Sequence, residues 1–147
     1  MKNLNKILII ILTIGCANQT YAQKKELMPI QEIREIIELA LNLPELQYYY
    51  HIDTIPERLP IKFKEFGLIN SKNMKGLTKF NDEILFLSEI EINGKNIKDY
   101  FNVGDWTYGG NSLRLQLDYV IEGILINYRF IKTEGVWNIE NFVIFEN

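Results

Sequence analysis

The stretch 113–146, "LRLQLDYVIEGILINYRFIKTEGVWNIENFVIFE", decides the fold. Its opening alternates strictly: Leu113, Leu115, Leu117, Tyr119 and Ile121 fall on one face, and Arg114, Gln116 and Asp118 on the other. A period of two marks a half-buried strand. Glu122-Gly123 reads as a two-residue turn, with glycine supplying positive φ. Folding there sets Ile121 opposite Ile124, Tyr119 opposite Ile126, Leu117 opposite Tyr128, and Leu115 opposite Phe130. Asp118 then lies opposite Asn127 on the wet face. All the apolar partners share one side, and a slip of one residue would turn the set over. A second turn at Glu134-Gly135 pairs Phe130 with Ile139 and Arg129 with Glu140. The apolar parity then changes, from Trp137 and Ile139 to Phe142 and Ile144. One extra residue near Glu140-Asn141, a β-bulge, restores the face. Residues 113–145 are therefore expected to form a three-stranded meander.

A sheet with one apolar face needs a cover, and 29–43, "PIQEIREIIELALNL", supplies it. Ile30, Ile33, Ile36, Ile37, Ala40 and Leu41 recur at helical spacing, while Glu32, Arg34, Glu35 and Glu38 take the other side. Pro29 suits the first helical position and Pro44 stops the run. One amphipathic helix on a curved antiparallel sheet is an α+β plan.

The middle of the chain is less regular. "EILFLSEIEI" (83–92) reads as a strand with Ile84, Phe86, Ile90 and Ile92 on one face, followed by a turn at "INGK" (92–95). "RLPIKFKEF" (58–66) reads as an edge strand or a short helical turn, since Pro60 argues against a central strand. "QYYYHID" (47–53) also reads as a strand, with Tyr48, Tyr50 and Ile52 toward the core. Gln47, Tyr49, His51 and Asp53 then line a half-wet face. "NVGDWTYGGNS" (102–112) places Trp106 and Tyr108 among three glycines and reads as a loop.

The N-terminal segment, "MKNLNKILIIILTIGCANQTYAQ", reads as an address. Lys2 and Lys6 precede an apolar run, and Thr20-Tyr21-Ala22 offers a small-residue cleavage site before Gln23. The run is shorter than the roughly 20 apolar residues a membrane span needs. Two units are expected: a signal peptide over 1–22 and a single α+β domain over 23–147. Gly15-Cys16 resembles the bacterial lipobox, and lipidation at Cys16 is the alternative, with Thr13 standing where a leucine is usual. Either route takes the product out of the cytoplasm, as a periplasmic or secreted protein or as a membrane-anchored lipoprotein.

Of the 16 basic and 19 acidic residues, the leader would remove two lysines and no acid, leaving a domain at −5. An acidic domain without a basic stripe argues against nucleic acid as a partner. Cys16 is the sole cysteine and His51 the sole histidine, so neither thiol catalysis nor a zinc site of several His or Cys ligands is expected. No phosphate-binding glycine loop, calcium loop or nucleophile elbow is present. No cofactor and no metal are expected. Asp53, Asp105, Asp118 and Glu122 could pair across a cleft for glycoside hydrolysis, but acids on alternating strands more often form a wet face.

Two constellations remain as candidate ligand-binding residues. Trp106 and Tyr108 belong to the residue types that dominate binding hot spots, although rings in such a loop more often fold back as a lid on the core. Tyr49 and His51 share a strand face with Asp53, about 6.6 Å from His51 along the backbone, yet no nucleophile lies nearby in sequence.

The helix-then-meander order and the ending "RFIKTEGVWNIENFVIFE" resemble the cystatin-like and nuclear-transport-factor-2-like superfamily. That resemblance implies a helix lying across a curved sheet and carries no function, because the superfamily hosts enzymes, ligand binders and scaffolds. The expected function is an exported, non-enzymatic binding or accessory module of the bacterial cell envelope, its partner a protein or small ligand. Two alternatives stand beside it. One is a small pocket enzyme, a hydrolase or isomerase using His51 and Asp53. The other is an inhibitor or immunity-type protein that binds a basic enzyme.

Overall fold

The computed structural model describes residues 27–146. The expected leader over 1–22 and the alternative anchor at Cys16 lie outside the described residues. In chain order the elements are α1 (Ile30–Leu41), α2 (Gln47–Tyr50), β1 (Lys62–Lys64), β2 (Thr78–Lys79), β3 (Asp82–Glu83) and β4 (Leu85–Leu87). They continue with α3 (Glu89–Gly94), β5 (Phe101–Tyr108), β6 (Ser112–Tyr119), β7 (Ile124–Thr133) and β8 (Val136–Glu146). Six strands form one curved sheet in the order β4-β1-β5-β6-β7-β8, and β2-β3 is a separate hairpin. From β5 to β8 every pairing is antiparallel, whereas β1 runs parallel to both its neighbours. The architecture is mixed α and β with a mostly antiparallel sheet.

α1 buries Ile33, Ile36, Ile37, Ala40 and Leu41 against the sheet. Each of the four large side chains contributes about 1.5–3 kcal/mol of apolar burial. Two polar bonds set the helix in place. The Tyr128 hydroxyl on β7 donates to the Ala40 carbonyl at 2.9 Å, and the Trp137 indole N–H on β8 donates to Glu32 Oε2 at 2.8 Å. Glu32, assigned by periodicity to the solvent side, is therefore a tether, and it also accepts from Lys132 Nζ at 2.7 Å.

The C-terminal meander forms, but β6 and β7 pair two residues away from the expected register. Tyr119 faces Ile124, Leu117 faces Ile126, Leu115 faces Tyr128 and Leu113 faces Phe130. The cause is the connection: Val120–Glu122 make a 3₁₀ turn before Gly123, which takes the left-handed conformation. Four residues are thus spent on the turn instead of two. Ile121, expected opposite Ile124, leaves the ladder and is exposed. Because the shift is even, every buried side chain keeps its face. Between β7 and β8 the expected bulge is found: Phe130 pairs with Ile139 and Arg129 with Asn141, leaving Glu140 as the extra residue. Its carboxylate turns back to Arg129 Nε at 2.6 Å.

Three other expectations fail for identifiable reasons. "QYYYHID" is not a strand: α2 follows a 3₁₀ turn at Pro44–Leu46 and ends at His51 in the left-handed region. Leu46 and Tyr50 are buried, four residues apart on one helical face, while Tyr48 is 76% exposed and Ile52 only half-buried. "EILFLSEIEI" is broken by Ser88, whose side chain and the Glu91 carboxylate form a capping box that starts α3. Such a box satisfies two orphan N–H groups at once. Ile90 is left 84% exposed, and "INGK" runs through the end of α3 and its cap. Pro60, finally, does not keep β1 from the interior of the sheet, because the strand begins two residues beyond it.

The core is closed by stacked aromatics from several strands. Phe63 lies 5.2 Å from Phe101, which lies 4.2 Å from Tyr119. Tyr50 packs beside these rings and donates its hydroxyl to the Leu41 carbonyl. Ile36 and Ile37 of α1 and Leu117 and Ile126 of the sheet belong to one buried cluster with them.

Candidate functional site

Trp106 and Tyr108 are on a strand, not in a loop. β5 runs through them to Tyr108, and only Gly109–Asn111 turn the chain into β6. Gly104 decides where the two rings point. Val103 pairs with Leu117 and Asp105 with Gln116, so Gly104 is a bulge residue. Before it the inward positions are Phe101 and Val103; after it they are Trp106 and Tyr108, opposite Leu115 and Leu113. A side chain at 104 would meet Gln116 Oε1 and require that side chain to shift.

Both rings are half-buried and line a groove of about 520 Å³. Leu27, Met28 and Ile33 form one wall and the turn Phe66–Ile69 the other. Leu27, Phe66 and Leu68 are exposed, so the apolar surface continues out of the groove. Tyr108 also leans on Trp137 at 6.4 Å between ring centroids. Phe66 and Leu68 carry no periodic signal in the sequence. Their only cue is Gly67 between two large apolar residues, a turn that displays both.

Tyr49 and His51 are brought together with different partners from those expected. His51 Nε2 lies 3.2 Å from Glu122 Oε2, and Arg58 holds the other oxygen of the same carboxylate. Asp53 is exposed in the turn that follows α2 and is not the histidine's partner. Arg58 also donates to the carbonyls of Tyr49 and Tyr50 at 3.3 Å each. The Tyr49 hydroxyl donates to Glu146 Oε1 at 2.6 Å, and this bond raises the phenol above its usual pKa. The arrangement ties the end of α2 to the β6–β7 connection and to the last strand. Neither His51 nor Tyr49 lines the groove beside Trp106.

The carboxylates do not converge. Asp118 pairs with Leu125 on the outer face, where burial raises its pKa. Asp105 accepts the Thr107 hydroxyl at 3.1 Å on that face, and Glu122 is taken by Arg58 and His51. No group of three or more His, Cys, Asp or Glu side chains gathers among the described residues. Among the described residues no helix is long and apolar enough to cross a membrane. On the outer face Arg114 lies directly opposite Arg129 beside a shallow depression that includes Thr107 and Ser112.

Comparison with protein-family models, with curated proteins and with solved structures finds no match for this chain.

Proposed function

We propose that this protein is a non-catalytic binding module of the bacterial cell envelope, exported by its N-terminal leader, which captures a protein partner in the groove beside Trp106 and Tyr108. One observation carries the reading: the Gly104 bulge turns both rings into an open groove continuous with the exposed Leu27, Phe66 and Leu68. Contiguous apolar surface of this kind, with Trp and Tyr at its centre, is typical of recognition sites. His51 and Asp53, which a pocket enzyme would use, do not line the groove that opens between Ile33 of α1 and β5. His51 is engaged by Glu122. A helix lying across a curved sheet, as in cystatin-like and nuclear-transport-factor-2-like domains, is a scaffold compatible with this role.

A photo-crosslinking amino acid at position 108 tests the reading in cells. It should capture a discrete protein that the same group at Asn138, on the opposite side of the sheet, does not. The captured protein, once purified, should bind the native chain at least about tenfold more tightly than the Trp106→Ala/Tyr108→Ala double variant, the effect of losing one hot spot or more. Equal binding to both would end the proposal.

A further inference from the structure

We infer that the groove takes an extended peptide as an added strand on the free edge of β5, with apolar side chains facing Trp106 and Tyr108 and a basic side chain facing Asp105. The inference rests on the groove being the binding surface, and adds what occupies it and how.

The edge is built into the topology. β1 meets β5 at a single pair, Phe63 with Phe101. From Val103 to Tyr108 the strand has β6 on one side and, among the described residues, no strand on the other. The Gly109 N–H donates to the Ser112 carbonyl at 2.8 Å. In an antiparallel ladder such bonded positions alternate with positions whose N–H and C=O point away from the partner. Counting back from Gly109, Thr107 and Asp105 bond to β6, and Trp106 and Tyr108 direct their backbone groups away from β6, along the free edge beside the groove. No hydrogen-bond partner for those groups is found among the described residues. On the opposite wall Phe66 and Ile69 satisfy each other through bonds of 2.8 and 2.9 Å. An apolar groove with two unpaired peptide units along its edge suits a polypeptide better than a hydrocarbon, since a strand supplies the matching donors and acceptors.

The alternation of the sheet then assigns the side chains. Residues of the added strand opposite Trp106 and Tyr108 point into the groove, against Met28, Ile33, Phe66 and Leu68. Residues opposite Asp105 and Thr107 point to the outer face. Asp105 is exposed and has no cationic partner among the described residues. A Lys or Arg directly across from it is the favourable cross-strand pair. The recognised pattern is therefore basic, apolar, polar, apolar over four consecutive residues. The net charge of −3 on the whole chain and the lone Asp105 favour such a segment over a second copy of this protein.

Panning a displayed library of random nine-residue peptides against the protein should enrich alternating sequences with a Lys or Arg at one outer position. In the free protein the amides of Trp106 and Tyr108 should exchange with solvent at least about tenfold faster than those of Asp105 and Thr107, and they should become protected when an enriched peptide binds. N-methylation of the peptide at positions bonded to β5 should abolish binding, and at the intervening positions should not. Asp105→Lys should weaken the basic peptide about fivefold or more and favour its glutamate counterpart. Enriched peptides that tolerate N-methylation but are lost with Trp106→Ala/Tyr108→Ala would leave the groove as the binding surface and overturn strand addition. Peptides indifferent to that double variant would overturn the groove itself. Failure to enrich any alternating pattern overturns the inference, as does protection of Trp106 and Tyr108 before any peptide is added. In the latter case dilution would tell a second copy from a segment of the same chain.

Discussion

Trp137 on the last strand and Glu32 on the first helix are joined by an indole-to-carboxylate hydrogen bond of 2.8 Å, and Lys132 Nζ reaches the same carboxylate at 2.7 Å. The bond from Lys132, then that from Trp137, holds Glu32 below its ordinary pKa of about 4.5. A depressed carboxylate binds its proton less readily folded than unfolded. Its stabilisation is therefore present above the unfolded pKa and is lost as pH falls through the folded one. Glu32→Gln should cost about 1 kcal/mol at neutral pH. In urea titrations that difference should shrink below pH 4.5. A gap that stays constant into acid would show that the charge contributes nothing.

At the alkaline end, burial pushes the hydroxyls of Tyr50, Tyr119 and Tyr128 upward, with Tyr128 adding to the shift at Tyr50 and Asp99 to that at Tyr119. Folded pKa values above the unfolded ones mean that stability is whole below about pH 10 and is lost as pH rises further. Absorbance of tyrosinate near 295 nm should rise in two stages. The later stage belongs to the buried rings of Tyr50, Tyr119 and Tyr128, which ionise only together with loss of the circular dichroism of the fold. Ionisation of the buried rings with the circular dichroism of the fold intact would contradict their burial.

The register of β6 against β7 can be read chemically. Asp118→Cys with Leu125→Cys should oxidise readily, because these residues are direct cross-strand partners. Asp118→Cys with Asn127→Cys, a diagonal pair, should oxidise far more slowly. The reverse order of rates would restore the tight-turn register. Leu117→Ala should cost about 2–5 kcal/mol in either case.

His51 separates a backbone effect from a side-chain effect. It stands at φ 53° and ψ 28°, a conformation that favours glycine. His51→Gly should be more stable than His51→Ala by about 1 kcal/mol, since only the alanine keeps the left-handed strain. His51→Gln should lose less than about 1 kcal/mol, because Arg58 still holds Glu122. Arg58→Ala, which also strips donors from the Tyr49 and Tyr50 carbonyls, should cost about 2–3 kcal/mol. Thermal melts of the four variants would decide the order.

Gly104→Ala tests the origin of the groove. The methyl must shift the end of the Gln116 side chain, whose amide donates to Asn127 at 2.9 Å. A loss of about 1–2 kcal/mol is expected. Acrylamide quenching of Trp106 in a Trp137→Phe background should change if the bulge shifts, and an unaltered profile would show that the bulge survives without its glycine.

Where the sequence carried redundant signals, structure was legible. The Glu140 bulge follows from a parity change that only an extra residue can absorb. The β6–β7 offset was not legible, because Leu115, Leu117 and Tyr119 find apolar partners on the same face in either even register, and only the length of the turn distinguishes them. In "QYYYHID" the tyrosine alternation masked a helical pair, Leu46 with Tyr50, that the preceding proline could have exposed. Ser88 and Glu91 match the capping-box spacing, yet Ile90 and Ile92 continue a strand pattern through it. The groove depended on Gly104, and a single glycine in a glycine-rich stretch does not announce a bulge.

The hydrogen bond from Tyr128 to Ala40 spans 88 residues, and its order of appearance matters. α1 is synthesised first, while the strands that cover Ile33, Ile36, Ile37 and Leu41 come last. At roughly 5–20 residues per second, the apolar stripe of the nascent helix stays uncovered for roughly 4–18 s. Local helical contacts cannot end that wait, because the cover is non-local. Uncovered apolar surface of this kind is what holding chaperones cover, and a chain stopped before β7 would keep the stripe exposed as a ready-made seam for aggregation.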